Sequence, residues 1–91
     1  MPPAERDNWR KLRANEDKMA ECINRDVVAD HLRHRGLLTV EQYQFVIDMK
    51  YLFEANKYLI QLIWRQDRQY LVELKNALSA AKQDELLGYL P

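Results

Sequence analysis

Gly36-Leu37-Leu38-Thr39, preceded by Asp30-His31-Leu32 and followed by Gln42-Tyr43, decides the fold of this chain. Gly36 can take the left-handed conformation that closes a helix. Thr39 can accept a bond from the Gln42 backbone N–H while the Gln42 side chain reaches back to the Thr39 N–H, a capping box that opens the next helix. Leu38 before the cap and Tyr43 inside the helix are spaced for the accompanying hydrophobic staple. One helix therefore stops and another starts across a two-residue apolar turn.

Working outward, the sequence is built for helices. Its 91 residues include only two glycines, and its three prolines, Pro2, Pro3 and Pro91, lie at the ends, so little interrupts a helix. Apolar residues are 47% and charged residues 31%, a globular rather than disordered balance in one domain spanning 1–91. The single cysteine, Cys22, cannot form an internal disulfide and fits a reducing, cytoplasmic setting. No apolar run approaches the roughly 18 residues of a membrane span, and no signal-peptide pattern opens the chain. Fourteen basic residues balance fourteen acidic ones, which argues against a whole-surface attraction to nucleic acid or anionic membrane.

Six helical segments follow from the periodicity. The first, about 4–22, carries Trp9, Leu12, Met19 and Ile23. The second is capped by Asn24 or Asp26 and faces inward with Val27, Val28, His31 and Leu32. The third runs from Thr39 to about Asp48 with Tyr43, Val46 and Ile47 inward. The fourth, about 50–65, has the strongest stripe: Leu52, Ala55, Leu59, Leu62 and Ile63. Asp67 would cap the fifth, with Leu71, Leu74, Leu78 and Ala81. A short sixth, from about Gln83, supplies Leu86, Leu87 and Leu90. Short connectors between amphipathic helices predict an all-α, antiparallel six-helix bundle. The chain stops one residue after its last apolar position, as in a domain trimmed from a longer protein or a protein made of this domain alone.

No catalytic signature is present. There is no glycine-rich phosphate loop and no nucleophile elbow around the only serine, Ser79. Cys22 with His31 or His34 could be imagined as a thiol–imidazole pair, but a lone cysteine on a helix is more simply a small core or boundary residue. His31 and His34 share a helix face, yet the paired spacings of a zinc site are missing, and His31 is more simply a satisfied core-edge histidine. Glu16 with Asp17, and Asp84 with Glu85, point to different sides of a helix and read as solvated faces. The expectation is a non-enzyme with no metal and no cofactor.

What remains is a charged surface. The second and third segments carry Asp26, Asp30, Glu41 and Asp48, while the first and fourth carry Arg10, Arg13, Lys18, Lys50 and Lys57. Opposite patches on opposite faces would let copies or relatives stack head to tail into helical filaments. The plainer reading is an ordinary mixed-charge surface, and Arg33 and Arg35 interrupt the acidic side. Trp64, Arg65 and Arg68, with Tyr70, mix cations and aromatics at the junction of the fourth and fifth segments. Such a mix suits single-stranded nucleic acid or a protein-contact anchor, against a plain corner of the core.

From Leu12 to Leu90 the chain resembles a caspase recruitment domain (CARD) of the death-fold superfamily. The resemblance rests on Leu12…Met19…Ile23, Val27-Val28-Ala29-Asp30-His31-Leu32, Gly36-Leu37-Leu38-Thr39 and Glu41-Gln42-Tyr43. Farther on it rests on Tyr58-Leu59-Ile60-Gln61-Leu62-Ile63, on the run 70–78 ending Asn76-Ala77-Leu78, and on Asp84-Glu85-Leu86-Leu87-Gly88-Tyr89-Leu90. Asp-His beside Gly-x-Leu-Thr, with the Asn-Ala-Leu ending, looks most like the domain of apoptosome adaptors. The chain departs from the family where Glu16 and Ala55 stand in place of arginines, and where Arg35 stands at a position acidic in adaptor-like members.

The resemblance implies a Greek-key-like death-fold topology and a non-enzymatic adaptor in apoptotic or innate-immune signalling. Such a module recruits other CARD-containing proteins, for instance initiator caspases, through a basic surface on the first and fourth helices and an acidic one on the second and third. By position Asp30 is the best acidic match, with Glu41 nearby, and Arg13, Lys18, Lys50 and Lys57 are the basic candidates. The alternatives are a CARD-only decoy that blocks such assembly and a small helical nucleic-acid-binding domain using Trp64, Arg65 and Arg68.

Overall fold

In a computed structural model, the described residues are Arg10, 12–64 and 68–90, with the side chains of Trp64 and Arg68 excepted. Their regular structure is all helical, with no strand among them. Five α-helices follow in order: α1 (Glu16–Cys22), α2 (Arg25–His34), α3 (Val40–Asp48), α4 (Leu52–Trp64) and α5 (Arg68–Ala80), then a 3-10 helix, Asp84–Tyr89. Residues 12–14 form a further helical stretch, which breaks at Asn15 (φ −107°, ψ 9°) before α1 begins. The single first helix expected from periodicity is therefore interrupted. Its stretch 1–9, which includes Trp9, lies outside the described residues, as does Asp67, the expected cap of α5.

The junction between α2 and α3 has the expected geometry. Gly36 holds φ 76°; its N–H donates to the Arg33 carbonyl at 3.0 Å, and the Leu37 N–H donates to that of Leu32 at 2.9 Å. This is a Schellman closure. The Gln42 N–H donates to Thr39 Oγ1 at 3.0 Å, and the Thr39 N–H donates to Gln42 Oε1 at 2.9 Å, completing the capping box. Leu38 is buried and Tyr43 packs against the same core. For α2 the cap is Asn24, whose side chain accepts from the Val27 N–H, leaving Asp26 in the first turn.

One hydrophobic core joins the elements. Helix α1 packs mainly on α4, α2 packs on α5 and α3, and the 3-10 helix lies on α5. Leu12, Met19, Val28, Leu32, Val46, Leu59, Ile60, Ile63, Leu74 and Leu78 are fully buried. Truncating any of these leucines or isoleucines to alanine costs about 2–5 kcal/mol, a large share of the stability of so small a domain. The radius of gyration, 12.3 Å, matches the roughly 12 Å of a well-packed chain of this length.

The expected inner faces need four corrections. Leu52, the first residue of α4, is 56% exposed. Val27 likewise faces outward from the first turn of α2. Cys22 is exposed at the end of α1, rather than at a core or boundary position. The last segment winds as a 3-10 helix, the form favoured by short terminal turns, although Leu86 and Leu90 still reach the core.

Three polar side chains tie distant elements together. Asn56, wholly buried on α4, donates through Nδ2 to the carbonyls of Ala20 (2.9 Å) and Ile23 (3.0 Å). It thus satisfies acceptors that the end of α1 would otherwise leave open. Gln83 accepts from the Asn24 N–H at 2.7 Å and donates to the Cys22 carbonyl at 2.6 Å, clasping the carboxyl-terminal segment to the α1–α2 junction. Glu73 on α5 receives two groups from α2: His31 Nε2 lies 3.3 Å and Arg35 Nε 3.2 Å from its Oε2. His31 is therefore a core-edge histidine with a partner.

Candidate protein-docking surface

The charged side chains singled out in the sequence fall on two pairs of packed helices. On the acidic side, Asp26 and Asp30 stand one turn apart on α2, and Glu41 and Asp48 stand at the two ends of α3. Because α2 packs on α3, the four belong to neighbouring helices. Glu41 sits in the first turn of α3, where the helix dipole favours a carboxylate.

Their local partners differ. Asp26 Oδ1 lies 2.9 Å from the Arg25 guanidinium, whose other nitrogen donates to the Met49 carbonyl at 3.1 Å. Asp48 accepts from Gln44 Nε2 at 2.8 Å. Asp30 is 55% exposed, with His34 Nδ1 3.6 Å from its carboxylate and 2.8 Å from its carbonyl. An exposed pair of this kind is worth little in stability. Asp26 is the more exposed of the two at 71%, but it is held by Arg25, so Asp30 is the carboxylate of α2 less engaged by a cation of its own chain.

The two arginines that interrupt this side are both engaged. Arg33 lays its guanidinium over the Tyr43 ring of α3, 5.1 Å from the centroid, and Arg35 is drawn to Glu73 on α5. Neither contact was legible in the sequence, where both residues appear simply as cations beside Asp30.

On the basic side, Arg10, Arg13 and Lys18 are exposed in or before α1. Lys57 on α4 reaches Asp17 on α1 at 3.1 Å and lies over the Phe53 ring at 5.4 Å. Lys50, exposed just ahead of α4, holds its ammonium 5.5 Å from the Tyr51 ring. The packing of α1 on α4 brings Lys18 and Lys57 to one helix pair, where Glu16, Asp17 and Glu21 of α1 and Glu54 of α4 offset their charge.

At the corner between α4 and α5, Trp64 ends one helix and Arg68 begins the next. Arg65 and the side chains of Trp64 and Arg68 lie outside the described residues, so that corner has no described geometry.

Comparison of the chain with protein-family models, curated proteins and solved structures finds no match.

The described residues contain no cluster of three or more His, Cys, Asp or Glu placed to hold a metal, and no helix among them is long and apolar enough to cross a membrane. Ser79 donates to Asp84 Oδ1 at 2.8 Å, a bond that ties the end of α5 to the 3-10 helix. What sequence reasoning missed is an open apolar groove between α3 and α4, about 380 Å³ in volume, lined by Glu41, Gln42, Phe45 and Tyr58. Phe45 is 55% exposed and meets Tyr58 edge to face, with centroids 5.1 Å apart. The available signal was Phe45 itself, an aromatic set among Glu41, Gln44 and Asp48 on the outer side of its helix.

Proposed function

We infer that this chain is a non-enzymatic protein-interaction module, a caspase recruitment domain with death-fold topology. In this reading it recruits CARD-containing partners in the cytoplasm during apoptotic or innate-immune signalling. One observation carries the inference: α2 packs on α3, which sets Asp26, Asp30, Glu41 and Asp48 on one helix pair, while Lys18 and Lys57 stand on the other pair, α1 and α4, among carboxylates of its own. Opposite charges on separate faces steer encounter between like domains and fix their register. A docked array raises the effective concentration of any enzyme tethered to it. Initiator caspases and apoptosome-type adaptors are the partner class that the resemblance supplies.

The acidic seat centres on Asp30, with Glu41, Asp26 and Asp48 around it; the basic seat uses Lys18, Arg13, Arg10, Lys50 and Lys57. The test is Asp30→Lys, assayed for binding to an apoptosome-adaptor CARD and to an initiator-caspase CARD near the wild-type dissociation constant. Binding falls about tenfold or more, as for a central charged contact, while the far-ultraviolet circular dichroism stays unchanged. Undiminished binding removes Asp30 from the interface. A domain-only decoy makes the same contacts and differs in lacking an effector domain, which the natural full-length chain reveals.

A further inference from the structure

Asp30 has one companion that changes charge. His34, one turn on and the last residue of α2, holds Nδ1 2.8 Å from the Asp30 carbonyl and 3.6 Å from its carboxylate. A carbonyl oxygen only accepts, so Nδ1 carries a hydrogen whether the ring is neutral or charged. The proton that charges the ring therefore adds at Nε2, which has no partner among the described residues. The bond to the backbone keeps the ring in place meanwhile. Protonation thus sets a positive charge beside the carboxylate without moving a side chain.

No other cation contends for Asp30 among the described residues. Arg25 is taken up by Asp26 and the Met49 carbonyl. Helix α2 packs on α5, α3 and α4. From α5 the ionisable group that meets it is Glu73, held by His31 and Arg35; from α3 it is Tyr43, beneath Arg33. No ionisable side chain of α4 pairs with α2 among the described residues, and Lys57 turns to Asp17 on α1. Histidine is the side chain that exchanges charge near neutral pH. We propose that His34 is a proton-operated control on docking at Asp30. The neutral ring leaves the carboxylate to a partner's cation, whereas the charged ring offsets the carboxylate and repels that cation. This rests on the interaction-module reading and adds regulation to the same site: acidification releases the partner while the domain stays folded. Because the pair is exposed, the effect is a few-fold and weakens with salt.

The test is calorimetric titration of the whole chain with an apoptosome-adaptor CARD at pH 8 and pH 5.5, in low salt. Each variant is compared with wild type, which cancels titration of the partner's own groups. Wild-type affinity falls about threefold more on acidification than that of His34→Gln. His34→Lys, permanently charged, binds about threefold more weakly than His34→Gln at pH 8, and His31→Gln keeps the wild-type response. Equal pH responses in wild type and His34→Gln, or a response lost only in His31→Gln, overturn the proposal. On the isolated chain, the carboxyl carbon resonance of Asp30 shifts in step with the His34 ring resonances as pH is lowered, and this step is missing in His34→Gln. An Asp30 resonance indifferent to the His34 titration overturns the proposal without reference to any partner. Absence of CARD binding at pH 8 by wild type overturns the interaction module instead, and the Asp30 resonance then decides the His34 coupling by itself.

Discussion

Gly36 and Lys82 occupy the same left-handed position at the ends of α2 and α5, at φ 76° and 58°. Each helix closes the same way. The Leu37 N–H returns to the Leu32 carbonyl and the Gln83 N–H to that of Leu78, at 2.9 and 2.8 Å. Glycine takes this conformation without steric cost, whereas lysine brings its Cβ close to the following carbonyl, at about 1–2 kcal/mol. Lys82→Gly should therefore stabilise the chain by about 0.5–1 kcal/mol, part of the relief being returned as unfolded-state entropy. Gly36→Ala should destabilise it by about 1 kcal/mol; an added Cβ there meets nothing within 4 Å, so the loss comes from the backbone alone. Urea titration of both variants checks the pair, and equal signs for the two would refute the equivalence.

Among the described residues Asn56 is the one buried polar side chain, and its two N–H groups both serve the end of α1. Asn56→Ala leaves two carbonyls unsatisfied and a small void, at about 2–4 kcal/mol. Asn56→Asp keeps the shape but turns a donor into an acceptor facing those carbonyls. Burial disfavours the charged form of the introduced carboxyl, so the folded state holds its proton to higher pH than the unfolded chain. Its penalty is accordingly smallest below about pH 4 and grows toward pH 7. Denaturant midpoints that show no such trend, relative to wild type, would contradict this account.

Glu73 links α5 to α2 through His31 and Arg35 while remaining only 15% exposed. Glu73→Ala should cost about 1–2 kcal/mol, since it leaves His31 without its partner at the core edge. Arg35→Ala should cost less, about 0.5 kcal/mol, because Arg35 is 60% exposed and solvent screens its share. A double-mutant cycle on the two residues should return a coupling energy of about 0.5–1 kcal/mol. A coupling near zero would make the Arg35 contact incidental.

Gln83→Ala removes both bonds of the clasp and should lower stability by about 1–3 kcal/mol. Amide exchange localises the effect: the Asn24 N–H, which now donates to Gln83 Oε1 at 2.7 Å, should lose protection while amides within α4 keep theirs. Unchanged exchange at Asn24 would mean that the clasp does not persist in solution.

Local features of the fold were legible because their causes lie within one turn of chain. The Gly36 closure, the Thr39–Gln42 box and the stripe Ala55, Leu59 and Ile63 each involve neighbours three to six positions apart, where spacing is informative. Asn56, Glu73 and Gln83 were not legible, because their partners lie between 33 and 61 positions away. Nothing in the residues around Asn56 distinguishes a polar interruption of the stripe from a side chain meant for a distant carbonyl. The charged surface was legible as a list of residues. Its geometry was not, since the diversion of Arg33 to Tyr43 and of Arg35 to Glu73 depends on how α2 meets α3 and α5. The groove escaped for a similar reason: Phe45 and Tyr58 belong to different helices, and only their packing makes a seat.

The Gln83 clasp also bears on the order in which the chain folds. It joins positions 59 and 61 residues apart, and it requires α1, α2 and α5 to be in place before either bond can form. Contacts of such span are absent from the transition state of a helical domain whose early structure is local. Stability lost at Gln83 should then show as faster unfolding, with the refolding rate almost untouched. On this expectation the carboxyl-terminal turn should be the last piece to close and the first to open, which would make Gln83 a control on how long the folded domain survives rather than on how quickly it forms.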